Sequence, residues 1–97
     1  MSLEEITKGL ADRVANGSNL NATVKFDFGD DGVVFVDGNN NTVSNEDAEA
    51  DCTITISKDN FLALSSGDLD PTTAFMMGKL KVKGNMGIAM KLQSLLG

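Results

Sequence analysis

The sequence predicts an α+β fold: a five-stranded, mostly antiparallel sheet with helices covering one face. Three observations predict the sheet and its helices. Apolar and polar residues alternate strictly through the middle of the chain, apolar residues recur at helical spacing at both ends, and glycine- and asparagine-rich turns separate the segments. Strict alternation means that one sheet face is covered and the other solvated, and helices lying over one face of such a sheet define the class. With 97 residues, the chain is expected to form a single domain over 1–97.

The elements follow in order. Ser2 and Glu5 fit a capping box, the hydroxyl covering a free helix N–H and the carboxylate reaching back. Leu3, Ile6, Leu10 and Val14 follow at helical spacing as a core-facing stripe, and Asn16-Gly17 supplies the stop. Ala22, Val24, Phe26 and Phe28 alternate with Thr23, Lys25 and Asp27 as a first strand, which Gly29-Asp30-Asp31-Gly32 turns into a second at Val33–Val36. Asp37–Asn41 is the next turn, and a weak third strand covers Thr42–Glu46. Ala50, Cys52, Ile54 and Ile56 then alternate against Asp51, Thr53, Thr55 and Ser57 as a fourth strand. After Ser57 the period changes: Phe61, Leu62 and Leu64 make a helical turn that Gly67 ends. Asp70-Pro71 is an N-cap followed by proline at the first helical position, opening a short helix that runs to Gly78. Leu80 and Val82 among Lys79, Lys81 and Lys83 form a fifth strand, and Asn85 caps a last helix that carries Met86, Ile88, Met90, Leu92 and Leu95.

Composition removes classes of chemistry. The chain has no His, Tyr or Trp and a single Cys. A zinc site needs about four Cys or His ligands, or about three where carboxylates contribute, so ordinary zinc sites are excluded. His-dependent hydrolases lack their base, and one Cys closes no internal disulfide. Net charge is −6, without the basic footprint of a nucleic-acid binder, so no nucleic-acid partner is expected. Charge is also lopsided: residues 1–70 hold all 14 acids and four bases, whereas residues 71–97 hold four lysines and no acid. The opening Met-Ser-Leu-Glu-Glu does not read as a signal peptide, and the longest apolar runs, such as Val33–Val36, are far below the ~20 residues of a membrane span. The sequons at Asn16, Asn21 and Asn40 are therefore expected to be silent and the chain cytoplasmic.

Cys52 falls in register with the apolar residues of its strand, and a buried structural thiol is expected. The acids are scattered over turns and polar strand faces, with no pair set apart by spacing. Neither Gly78-Lys79 nor Gly84-Asn85-Met86-Gly87 has the spacing of a phosphate-binding loop, although free N–H groups after Gly84-Asn85 can meet an anion. Four of the five methionines, Met76, Met77, Met86 and Met90, fall within fifteen residues. Flexible, polarizable methionine suits both irregular core packing and adaptable ligand surfaces, and composition leaves both open.

The stretch from Asp70 to Leu96, DPTTAFMMGKLKVKGNMGIAMKLQSLL, closely resembles the C-terminal signature of the sterol carrier protein family, the type-two non-specific lipid-transfer proteins. Asp51–Ile56 and Phe61–Leu64 resemble the segments that precede it; the first half is similar through element order only. The resemblance implies a hydrophobic tunnel for fatty acids, fatty acyl-CoA or sterols, with no bound cofactor and no catalysis by the domain. It implies tunnel-lining roles for Phe61, Leu64, Phe75, Met76, Met77, Leu80, Val82, Met86, Ile88, Met90, Leu92 and Leu95. The chain ends Leu95-Leu96-Gly97, so a peroxisomal Ser-Lys-Leu address is not carried over. Met77 stands where animal members tend to have a polar residue before the Gly-Lys pair.

Two functions are weighed. One is a monomeric lipid carrier that touches membranes transiently, with Lys79, Lys81, Lys83 and Lys91 meeting an anionic headgroup, a CoA phosphate or the membrane, against a simple solvated strand face. The other is an accessory module that docks on a lipid-metabolising partner enzyme.

Overall fold

The computed structural model describes residues 2–15 and 21–96. The first helix, α1 (Leu3–Ala15), buries Ile6, Leu10 and Val14, as the stripe requires. Its capping box is modified. The Glu5 N–H donates to Ser2 Oγ at 3.2 Å, but the Glu5 carboxylate accepts from the same hydroxyl at 3.3 Å instead of reaching the backbone. The Asn16-Gly17 stop lies outside the described residues.

Five strands follow: β1 (Thr23–Asp27), β2 (Val33–Asp37), β3 (Thr42–Ser44), β4 (Cys52–Ile56) and, later in the chain, β5 (Leu80–Gly84). Their order in the sheet is β3-β2-β1-β4-β5. Register aligns the apolar alternates into rows across the inner face. Val43, Val36, Val24 and Cys52 form one row; Val34, Phe26, Ile54 and Val82 form the next, and Ile56 faces Leu80 beside it. The helices lie over these rows, and their buried residues join the strands in one hydrophobic cluster.

Every adjacent pair is antiparallel except the central one, where β1 and β4 run parallel. A two-way clasp holds that pair. Thr23 N–H and Oγ donate to the Asp51 carboxylate at 3.1 and 3.2 Å, and the Asp51 N–H donates back to Thr23 Oγ at 2.9 Å. The connection from β3 to β4 crosses the outer face, where Asp47 pairs with Lys25 at 2.9 Å. Strand β3 stops at Ser44, two residues short of the expected end. The Asn45 amide leaves the ladder to donate to the Thr7 hydroxyl and the Val33 carbonyl, each at 3.0 Å, fastening the strand end to α1. The Asp37 carboxylate closes the β2–β3 turn by accepting from the Asn40 side chain and from the Asn39 and Asn40 amides. The Asn40 side chain, then these amides, holds its carboxyl below the usual carboxylate range.

Helix α2 (Lys58–Ser66) starts where Ser57 Oγ accepts the Asn60 N–H at 3.2 Å. Its anchor is Phe61, set edge-on to Phe26 and Phe28 with both centroid separations 5.4 Å. Helix α3 (Pro71–Met76) begins after Asp70, whose side chain accepts from the Thr73 hydroxyl and makes no backbone cap bond. It ends in a Schellman closure. Gly78, at φ 75°, donates to the Phe75 carbonyl, and the Lys79 N–H reaches the Ala74 carbonyl at 2.9 Å. The last helix is α4 (Met86–Leu96), with Asn85 Oδ1 accepting the Gly87 N–H at 2.9 Å.

Candidate functional site

The C-terminal elements create the site. Strand β5 is a sheet edge and carries Leu80 and Val82 on the inner face. Helix α3 leads into it through the tight Gly78 closure, and α4 leaves it through Gly84. At φ 108°, Gly84 lies in a region that disfavours side chains, and an added Cβ would collide with the Asp51 carbonyl oxygen. That close approach lets the Asn85 N–H bond the Asp51 carbonyl at 3.1 Å, fixing the start of α4 beside the sheet.

Between α3, β5 and α4 lies a cleft of about 260 Å³. Thr72 and Phe75 line it from α3, Leu80 and Val82 from β5, and Met86, Ala89 and Met90 from α4. Leu80 forms a closed floor, whereas Phe75, Met86 and Met90 are 46%, 47% and 72% exposed and border an open mouth. Among the described residues, Thr72 is the single hydrogen-bonding side chain of the lining and none is charged, so the cleft suits an aliphatic guest. A smaller hollow of about 90 Å³ lies between α1 and α2, with Ile6, Leu10 and Phe61 against Glu5, Arg13 and Ser65.

Five of the twelve residues expected to line a tunnel border the cleft: Phe75, Leu80, Val82, Met86 and Met90. Phe61, Leu64 and Ile88 lie elsewhere, in the packed core. Phe61 is taken up by the aromatic cluster, and Ile88, two residues past Met86, falls on the opposite side of α4. Met76 and Met77 stand apart from the cleft: they are 80% and 61% exposed and border no described cleft. Ala74 takes the inward position of α3, so Met76, two residues on, points outward; the helix then ends, and Met77 caps it at the surface. The side chains of Leu92 and Leu95 lie outside the described residues.

Sequence reasoning missed Thr72 and Ala89. Both stand three residues from an expected lining residue, Thr72 before Phe75 and Ala89 after Met86, so helical spacing could have found them. Selecting for large apolar side chains passed them over.

The four lysines flank the cleft without lining it. Lys81 and Lys83 pair in register with Thr55 and Thr53 on the outer face, Lys79 follows the α3 closure, and Lys91 lies on α4; all are exposed. Cys52 is fully buried beneath the sheet centre, and burial pushes its thiol pKa up. Among the described residues no three His, Cys, Asp or Glu side chains gather as a metal site, and no helix is long and apolar enough to cross a membrane.

Comparison with known proteins agrees with this architecture. Human sterol carrier protein 2 is 53% identical over 58 residues, 60% of this chain. Human hydroxysteroid dehydrogenase-like protein 2 is 35% identical over 95 residues, 94% of this chain. The matched regions make up 11% and 23% of those two relatives, so this chain spans a small part of each. A solution structure of palmitated SCP2L2 from Aedes aegypti superposes with a TM-score of 0.78 at 25% identity, covering 99% of this chain and 95% of that one. Residues 3–97 match the SCP-2 sterol transfer family, and the chain belongs to it.

Proposed function

We propose that residues 1–97 act as a monomeric intracellular lipid carrier. The domain holds one long-chain ligand, a fatty acid, fatty acyl-CoA or sterol, between α3, β5 and α4, and moves it between membranes or to enzymes without a cofactor and without catalysis of its own. The observation that carries the reading is a cleft whose described lining is uncharged, with Thr72 as its one hydrogen-bonding side chain, in a chain of the sterol transfer family. A fold shared with a palmitated protein at 25% identity supports a fatty-acid guest.

The affinity follows from the ligand. Burying ~15 methylenes at ~0.8 kcal/mol each gains ~12 kcal/mol, against at least ~4 kcal/mol lost to association and ordering. A net of about 6–8 kcal/mol corresponds to a Kd of about 1–40 μM. Titration with fatty acids of increasing length is expected to give a steady rise in affinity, about fourfold per methylene at ~0.8 kcal/mol each, because methionines adapt to each length. A sharp optimum at one length counts against an adaptable site.

The 35% identity with part of a hydroxysteroid dehydrogenase-like protein favours a second reading, an accessory module that docks on a lipid-metabolising enzyme. Native mass spectrometry of protein purified from cells separates the two. Co-purifying lipid is expected for the carrier; a clean apo mass together with an enzyme in pull-downs supports the module.

A further inference from the structure

We propose that the α3–β5 corner, Phe75-Met76-Met77 followed by Lys79 and Lys81, is a docking surface for an anionic lipid bilayer, which it enters with the two methionines. The proposal deepens the carrier reading and rests on it for its purpose, though not for its geometry. Every exposed large hydrophobic residue among the described residues belongs to this end of the chain: Phe75, Met76, Met77, Met86 and Met90. Three of these, Phe75, Met86 and Met90, border the cleft, and Met76 and Met77 directly follow Phe75 in the chain. Met76 and Met77 are presented by structure. The Gly78 closure fixes the helix end, and Ala74 anchors it in the core with no exposed area, so the pair is held outward. Two adjacent flexible apolar side chains exposed at a helix end suit the disordered boundary of a bilayer, which offers no fixed pocket.

Charge selects the partner. The chain is acidic overall, yet residues 71–97 contain four lysines and no acid. Lys79 and Lys81 are exposed and enter no ion pair among the described residues. The nearest acids before the corner in sequence, Asp68 and Asp70, precede the far end of α3, about 9 Å away along a six-residue helix. The other amphipathic candidate, α1, buries its apolar stripe and carries Glu4, Glu5 and Asp12 against Lys8 and Arg13, so it offers an anionic surface nothing. Seating the corner on a bilayer brings Phe75, Met86 and Met90 close to the acyl chains, where a guest can pass without crossing open water.

The test is cosedimentation with vesicles of phosphatidylcholine containing about 30% phosphatidylserine, with palmitate binding measured in parallel in solution. The wild-type protein is expected to partition onto anionic vesicles and to release as salt rises. Met76→Gln with Met77→Gln is expected to lower partition about tenfold. Lys79→Glu with Lys81→Glu is expected to lower it by at least about fivefold per lysine. Both variants keep palmitate affinity and circular dichroism, since these side chains are exposed and border no described cleft. Wild-type protein that binds palmitate but ignores anionic vesicles overturns the docking surface and leaves the carrier standing; the patch then serves a protein partner. Folded variants that partition like wild type also overturn it. Partition that depends on both residue pairs in a protein that binds no lipid in solution upholds the surface and removes the carrier.

Discussion

Cys52 shows how much one side chain's chemistry depends on its row. It lies beside Val24 in the central parallel pair, faces Gly84 across β4–β5, and has no exposed area. A thiol there packs as a small hydrophobe, and desolvation keeps it protonated. Cys52→Ser places a more polar hydroxyl in the same apolar row and is expected to cost about 1–3 kcal/mol in denaturant unfolding. Alkylation of the native protein is expected to follow opening of the fold and not the intrinsic reactivity of a thiol. The pH dependence has a definite sign. The folded pKa is raised above the ordinary 9.0, so the contribution is fully present below that value and is lost as pH rises through the folded one. Rapid labelling at neutral pH under native conditions would contradict the burial.

At the scale of elements, two glycines make opposite predictions. Gly9 sits inside α1, and a Cβ added there meets nothing within 4 Å. Gly9→Ala is expected to raise stability by up to about 1 kcal/mol through helix propensity alone. Gly84 has φ 108° and the Asp51 backbone against it, so Gly84→Ala must strain the backbone or separate β5 from β4. A loss of about 1–3 kcal/mol or more is expected, with weaker ligand binding because the start of α4 shifts. Equal melting temperatures for the two variants would contradict this account. The sequence told such elements apart unevenly. Strand periodicity was plain because Val24 and Phe26 in β1, and Cys52, Ile54 and Ile56 in β4, alternate with polar residues without a break, and the caps at Ser57 and Asn85 lie where side-chain chemistry demands them. The parallel β1–β4 pairing was not legible, since it depends on a clasp between Thr23 and Asp51, 28 residues apart. Nor was the outward set of Met76 and Met77, because helical phase names a side chain's direction only once the last turn is known.

For the whole molecule, the question is what a long ligand must move. The cleft of about 260 Å³ is slightly below the ~300 Å³ at which ligand pockets begin, and Phe75, Met86 and Met90 leave it open on one side. A dry enclosed void of this size would cost about 6 kcal/mol at ~24 cal/mol per Å³, a large share of the ~5–15 kcal/mol that holds a domain together. The open mouth avoids that cost by leaving the lining wet, and ligand must then close over what water now covers. The sheet cannot supply the movement easily, because β5 pairs with β4 at five successive positions. Helix α4 can: the Asn85 bond to Asp51 and the buried Ile88 hold its first turn, while Met86 and Met90 stand half free beside the cleft. Palmitate at ~100 times its Kd is expected to stabilise the fold by ~2.7 kcal/mol, about 10–20 °C in Tm for a domain of this size. Amide protection is expected to rise chiefly in α4, pivoting about Gly84, with the β1–β4 centre little changed. Thermal melting and hydrogen exchange across one palmitate titration measure both effects. An unchanged Tm with α4 equally protected in empty and loaded protein would falsify the cleft as a ligand site and the helix as its moving wall. A raised Tm with protection gained instead between α1 and α2 would move the site to the smaller hollow over Phe61.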